Sequence, residues 1–140
     1  MKNDIDYTAN ILKVFLDCDD AHVMFLDVIK TVCGEDIDEK FIHHYGLIVE
    51  NGLVSRRDLS IQTLDKMGIR YSLDNSITVI DMPLRLTQKG HDYSKALSNK
   101  EVLSKLKDGF KDAPFKVLFD GSQQLLTHYF KKKIDALTSE

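Results

Sequence analysis

Residues 46–54 read Gly46-Leu47-Ile48-Val49-Glu50-Asn51-Gly52-Leu53-Val54. An apolar helical run meets Asn51-Gly52, a pair suited to the left-handed backbone that ends helices, and strand-forming residues follow at once. The stretch predicts a helix, a glycine corner and a strand. Upstream the same helix extends over 36–51, with Asp36 or Asp38 as cap and Phe41, Ile42, Tyr45, Leu47, Ile48 and Val49 on its inner side.

Toward the amino end, residues 4–17 place Ile11, Leu12, Phe15 and Leu16 at helical spacing behind Asp4 or Asp6, either of which serves as cap. Asp17, Asp19 and Asp20 end that helix in a solvated turn. Residues 21–33 are apolar at Val23, Met24, Leu26, Val28, Ile29 and Val32; a short helix is expected, and periodicity leaves a buried strand open. Gly34 breaks the segment.

Toward the carboxyl end, residues 55–86 alternate loosely, with Gly68, Asp74-Asn75 and Pro83 as punctuation. They predict short strands joined by turns, as a hairpin or a small sheet. Thr87 then caps a helix with Tyr93, Ala96 and Leu97 inside. Ser98-Asn99 resets the chain, and Val102, Leu103 and Leu106 form another short helix. Ala113-Pro114 opens a long last helix, apolar at Phe115, Leu118, Phe119, Leu125, Leu126, Tyr129, Phe130, Ile134 and Leu137, with Gly121 as a point of bending or interruption.

Helices, a corner, a strand pair and then a helix opened by Leu86-Thr87 follow the order of a winged helix, in which the third helix sits in the major groove and the hairpin reaches the backbone or minor groove. The expectation is one α+β domain over 1–140, a winged helix-turn-helix-like fold. Residues 1–86 supply helical core and wing, and 87–140 supply extra C-terminal helices.

Composition narrows the function classes. With 140 residues, 43% hydrophobic and 29% charged, the chain has the make-up of one globular domain. Asp4 and Asp6 stand where a secretory signal carries its apolar core, and apolar runs such as Val14-Phe15-Leu16 are short, so neither signal nor membrane span is expected. A cytoplasmic location follows, with Cys18 and Cys33 as reduced, partly buried thiols. Those cysteines and His22 lack zinc-ligand spacing, the aspartate run lacks the glycine and final glutamate of a calcium loop, and the seven glycines are scattered. No metal, cofactor or enzymatic activity is expected. The net charge of −3 is uneven: residues 1–50 hold four lysines against eleven acids, a net of −7, and residues 51–140 hold fifteen basic side chains against eleven acids, a net of +4.

Three blocks, Met1-Lys2-Asn3-Asp4-Ile5-Asp6 with Ile11-Leu12, Ile42-His43-His44-Tyr45 through Gly52-Leu53-Val54, and Arg85-Leu86-Thr87-Gln88-Lys89-Gly90-His91-Asp92-Tyr93 continued by Phe115-Lys116-Val117-Leu118, resemble an uncharacterised family of bacterial and prophage proteins, the domain-of-unknown-function family numbered twenty-five thirteen. The blocks run across most of the chain; residues 55–82 match least, and Gln88 stands where that family often has tryptophan. The resemblance implies a winged-helix-like fold and a regulatory role, and brings no site residues.

Candidate DNA contacts come from the residues themselves. Lys40, His43 and His44 lie on the expected recognition helix, although adjacent histidines point about 100° apart and only one faces a groove squarely; the plainer alternative is one surface and one packed histidine. Glu35, Asp36, Asp38 and Glu39 suit the helix amino end but repel phosphate. Arg56, Arg57 and Arg70, with Lys66 and Arg85, lie in the wing region, where positive charge serves phosphate contacts. His91-Asp92 has the elements of an acid–base pair but no assignable nucleophile, and reads as structural. Lys131-Lys132-Lys133 suits a helix carboxyl end, and the apolar residues around it either pack on the domain or pair with a second copy. The leading expectation is a transcriptional regulator that contacts double-stranded DNA mainly through its wing. The alternative is a protein-interaction module on the same scaffold, without DNA binding.

Overall fold

Helix α1 (Ile5–Leu16) begins where the Asp4 carboxylate accepts from the Tyr7 N–H at 3.1 Å, so Asp4 and not Asp6 is the cap. The chain, seen here as a computed structural model that describes residues 1–139, continues through six helices and five short strands. The segment 21–33 resolves into both elements that periodicity left open. Strand β1 (Val23–Met24) runs straight into α2 (Phe25–Cys33). Helix α3 (Glu39–Glu50) is capped by Asp38, whose carboxylate accepts from Phe41 N–H at 2.8 Å.

The corner closes α3 as its residues predict. Gly52 N–H donates to Val49 O and Leu53 N–H to Ile48 O, and Gly52 holds φ at +68°. This paired arrangement satisfies two carbonyls that the helix end would otherwise leave bare. Strand β2 (Val54–Arg56) follows. The central strand β5 (Pro83–Leu86) is antiparallel to both neighbours, giving the order β1-β5-β2 with Val23 opposite Leu84 and Val54 opposite Leu86.

Between β2 and β5 a second, two-stranded sheet forms from β3 (Ile69–Tyr71) and β4 (Ile77–Val79), preceded by a single 3-10 turn at Leu64–Lys66. Its tip, around Asn75 at φ +66°, is exposed. Its base is not. Met67 and Ile69 are fully buried, and the Tyr45 hydroxyl donates to Met67 O at 2.6 Å. Gly68 lies against the Phe25 ring so closely that a Cβ there would come within 2.4 Å of ring carbon Cδ2. Phe25, Phe41 and Tyr45 pack with ring centroids 4.7–6.0 Å apart, an arrangement that adds to simple area burial.

Helix α4 (Gln88–Ser98) is seated on the corner. Thr87 N–H donates to Leu53 O, the Thr87 hydroxyl donates to Gly52 O at 2.7 Å, and that hydroxyl's own oxygen, Thr87 Oγ1, accepts from Gly90 N–H. A Cβ at position 90 would stand 1.9 Å from Leu53 O, so only glycine lets the two backbones meet. Asn99 caps α5 (Lys100–Phe110). Helix α6 (Phe115–Thr138) runs unbroken through Gly121, which faces Leu106. Helix α4 packs on α1, and α5 and α6 pack on α4. Among the described residues no helix is long and apolar enough to cross a membrane.

Candidate functional site

The DNA contacts expected on α3 are turned toward α1. His44 is 1% exposed. Its Nε2 accepts from Asp4 N–H at 2.9 Å, which leaves the ring proton on Nδ1, where it donates to Lys40 O at 2.7 Å. Burial holds the imidazole below its ordinary value and therefore neutral, and the Tyr7 ring lies 4.8 Å away. A buried ring with both nitrogens engaged has nothing left for a base or phosphate. His44 is thus a structural residue, not a DNA contact.

Its neighbours are drawn into the same junction. Lys40 Nζ sits 3.1 Å from Asp4 Oδ2 and 4.8 Å from the centre of the Tyr7 ring. Burial raises the Asp4 carboxyl, but the Tyr7 N–H and the Lys40 ammonium outweigh it and hold the group below its usual value. His43 Nε2 meets Asn3 Oδ1 at 2.8 Å from the surface side. Sequence reasoning missed this junction because its partners, Asn3 and Asp4, lie forty residues from the histidines.

What remains on the outside of α2, α3 and their connection is acidic. Between Leu26 and Glu50, Asp27, Glu35, Asp36, Asp38, Glu39 and Glu50 are exposed, against Lys30 and Lys40: six acids and two lysines, a net of −4. Such a surface repels a phosphate backbone.

The basic residues expected to form a wing are divided. Arg56 is half-buried and donates to Lys66 O at 3.3 Å, and Arg70 Nε donates to Asp65 O at 3.2 Å, so both steady the 3-10 turn. Arg57 and Arg70 are exposed. Over residues 55–86 five basic side chains face Asp58, Asp65, Asp74 and Asp81, a net of +1. Serine and threonine hydroxyls hold three of these acids below their usual value: Ser60 lowers Asp58, Thr63 lowers Asp65 and Ser76 lowers Asp74. The exposed apolar residues here, Leu59, Ile61, Tyr71 and Leu73, carry no signal in a pattern that looks only for basic groups.

The His91–Asp92 pair does not form. Asp92 accepts from Gln88 Nε2 at 2.9 Å, and its carbonyl takes a bond from Gln123. Cys18 and Cys33 are half-buried free thiols.

The far end of α6 is the other prominent surface. His128 and Tyr129 still line a recess with Glu101, Val102 and Lys105 of α5, and beyond them the helix leaves the body. Every described residue from Thr127 onward is exposed except the half-buried Tyr129, with Phe130 51%, Ile134 58% and Leu137 81% accessible. These three share one face by their i, i+4, i+7 spacing. Lys131 and Lys133 flank that stripe, and Lys133 Nζ lies 5.0 Å from the centre of the Tyr129 ring.

Comparison of the chain with protein-family models, with curated proteins and with solved structures finds no match.

Proposed function

We propose that this chain is a winged-helix protein that acts by binding protein rather than by reading DNA. The winged-helix reading is supported by the order helix, strand, helix, helix, strand, hairpin, strand, and by the last strand lying between the first two. Fold alone leaves function undecided. The observation that carries the choice is the overhanging end of α6. The nine helical residues 130–138, exposed throughout and carrying an apolar stripe, are unstable as a lone helix and are stabilised by a covering surface.

Charge selects the occupant. Two α6 ends laid side by side would oppose Lys131 and Lys133 to their own copies, at a repulsive cost. The acidic outside of α2 and α3 is complementary to those lysines and also exposes Leu26. The partner is therefore a second copy, with the α6 end of each protomer against the α2–α3 surface of the other. This reciprocal contact closes as a dimer.

Light-scattering mass across micromolar concentrations, at low and high salt, tests the reading. A dimer that weakens with salt and is lost in Ile134→Asp, a change at an exposed site that leaves the fold intact, is the expected result. A monomer throughout would overturn it. The second reading, DNA contacted through the wing, is favoured by the exposure of Arg57 and Arg70. Salt-sensitive binding to mixed-sequence duplex that is lost in Arg57→Ala/Arg70→Ala would put that reading in its place.

A further inference from the structure

A cleft of about 400 Å³ opens where the end of α1, the segment leading into β1, strand β5 and the start of α4 converge. Polar groups make up most of its lining, and Phe15, Val23, Leu84 and Leu86 supply an apolar floor. His22, Arg85 and His91 stand on its walls with Asp20 as the one carboxylate. Among the described residues neither imidazole ring takes a hydrogen-bond partner: His22 engages through its carbonyl, with the Cys18 thiol, and His91 through its backbone N–H, with Thr87 O. Arg85 spends only Nε, on Leu86 O at 3.3 Å, which leaves the two terminal nitrogens of the guanidinium free. Thr87 and Gln88 are occupied, the first on Gly52 and Gly90, the second on Asp92.

Two half-buried imidazoles and an arginine around an apolar floor have no structural task, since β1–β5 pairing and the seating of α4 are completed by other groups. The contrast with the cleft at the amino terminus is plain. There, four lysines share the walls with four aspartates, and Lys40–Asp4 and Lys107–Asp6 pair directly. We infer that the cleft between α1, β5 and α4 binds a small organic anion. The guanidinium of Arg85 and the rings of His22 and His91 hold its charged oxygens, and its carbon skeleton lies on Phe15, Val23 and Leu86. The volume lies within the range of small-molecule sites, and the lining, more polar than apolar, suits a charged ligand with a short carbon skeleton. Planar, multi-donor arginine suits carboxylate and phosphate oxygens alike.

The test is an amide and side-chain NMR titration of the full chain at fixed ionic strength with acetate, butyrate and inorganic phosphate in separate arms. Saturating shifts confined to residues 15–23 and 84–91, at least tenfold weaker in Arg85→Gln and unchanged in Lys89→Gln, are expected. Saturation by butyrate, tighter than acetate by roughly tenfold for two methylenes reaching the floor, assigns a carboxylate ligand; saturation by phosphate assigns a phosphorylated one. Shifts that rise linearly, or that are the same in Arg85→Gln, overturn the site. Arg85 is exposed, so its replacement leaves the fold in place to be measured. The outcome is independent of whether the chain dimerises.

Discussion

Helices α3 and α6 carry their polar and apolar groups in opposite ways. On α3 the side chains that look available in sequence, Lys40, His43 and His44, are spent on Asn3, Asp4 and Tyr7 of the amino-terminal segment. Along the outer half of α6, Phe130, Ile134 and Leu137 all stay more than half exposed, Phe130 edge-on to the neighbouring Tyr129 ring. A basic or aromatic residue on a helix is therefore not a measure of what the helix offers outward. The measure is what remains after neighbouring elements have drawn on it, and α6 retains far more than α3.

The comparison breaks most readily at the joint beneath α3. Gly90→Ala would drive a methyl group into Leu53 O and is expected to cost at least about 3 kcal/mol or to prevent folding, because backbone on both sides cannot yield as a side chain does. Gly46→Ala, on α3 where an added Cβ meets nothing, is expected to gain roughly 0.5–1 kcal/mol. Urea unfolding of the two variants checks both.

The buried histidine gives the next largest effect. His44→Phe fills the space but leaves the Asp4 N–H without its acceptor, for a loss of about 1–3 kcal/mol. His43→Ala, with only a surface contact to Asn3, should stay within about 0.5 kcal/mol of wild type. Equal losses in the two would mean that α3 does not divide its histidines as described.

The same residue sets a pH dependence. The folded chain holds His44 below its ordinary value of 6.5, so the unfolded chain takes up the proton first as pH falls. Its contribution is therefore full above pH 6.5 and is lost as pH drops from there through the lowered value. Urea midpoints at pH 7.5 and 5.5 should show this decline, with the His44 share of it absent in His44→Phe. At the small end, Lys40→Ala removes an exposed pair with Asp4 and should cost only about 0.2–1 kcal/mol. Phe130→Ser/Ile134→Ser should move the stability of a dilute sample by less than about 0.5 kcal/mol. A large loss there would show that the α6 end already packs on its own body.

Legibility in the sequence followed the range of the cause. The corner was readable because Asn51-Gly52 decides its own backbone, and the helix caps were narrowed to two aspartates each because capping is local. Strand β1 is not separable from α2 in the sequence, since two residues are too few to show a period and its partners, Pro83 and Leu84, lie some sixty positions on. Gly90 looked like one element of a motif; its reason is a carbonyl at position 53. Periodicity could not say which of His43 and His44 turns inward, because the docking of α1 decides it. The middle of the chain announced turns at Asp74-Asn75. It gave no sign that Met67-Gly68-Ile69 enters the core, since three residues make no pattern. For the cleft between α1, β5 and α4, His22, Arg85 and His91 come from three separate stretches, and only the fold assembles them.

The seating of α4 on Leu53 has a mechanical consequence. Hydrogen bonds from Thr87 to Gly52 and Leu53, and a contact too tight for any side chain at Gly90, weld the carboxyl-terminal helices to the sheet without a hinge. Helix α6, twenty-four residues and so about 36 Å long, packs on α4, and with its outer end covered it projects from the body as a stiff lever. Anything gripped at its tip is presented to the rest of the molecule at one angle and one distance, so the body acts as a ruler for whatever it assembles.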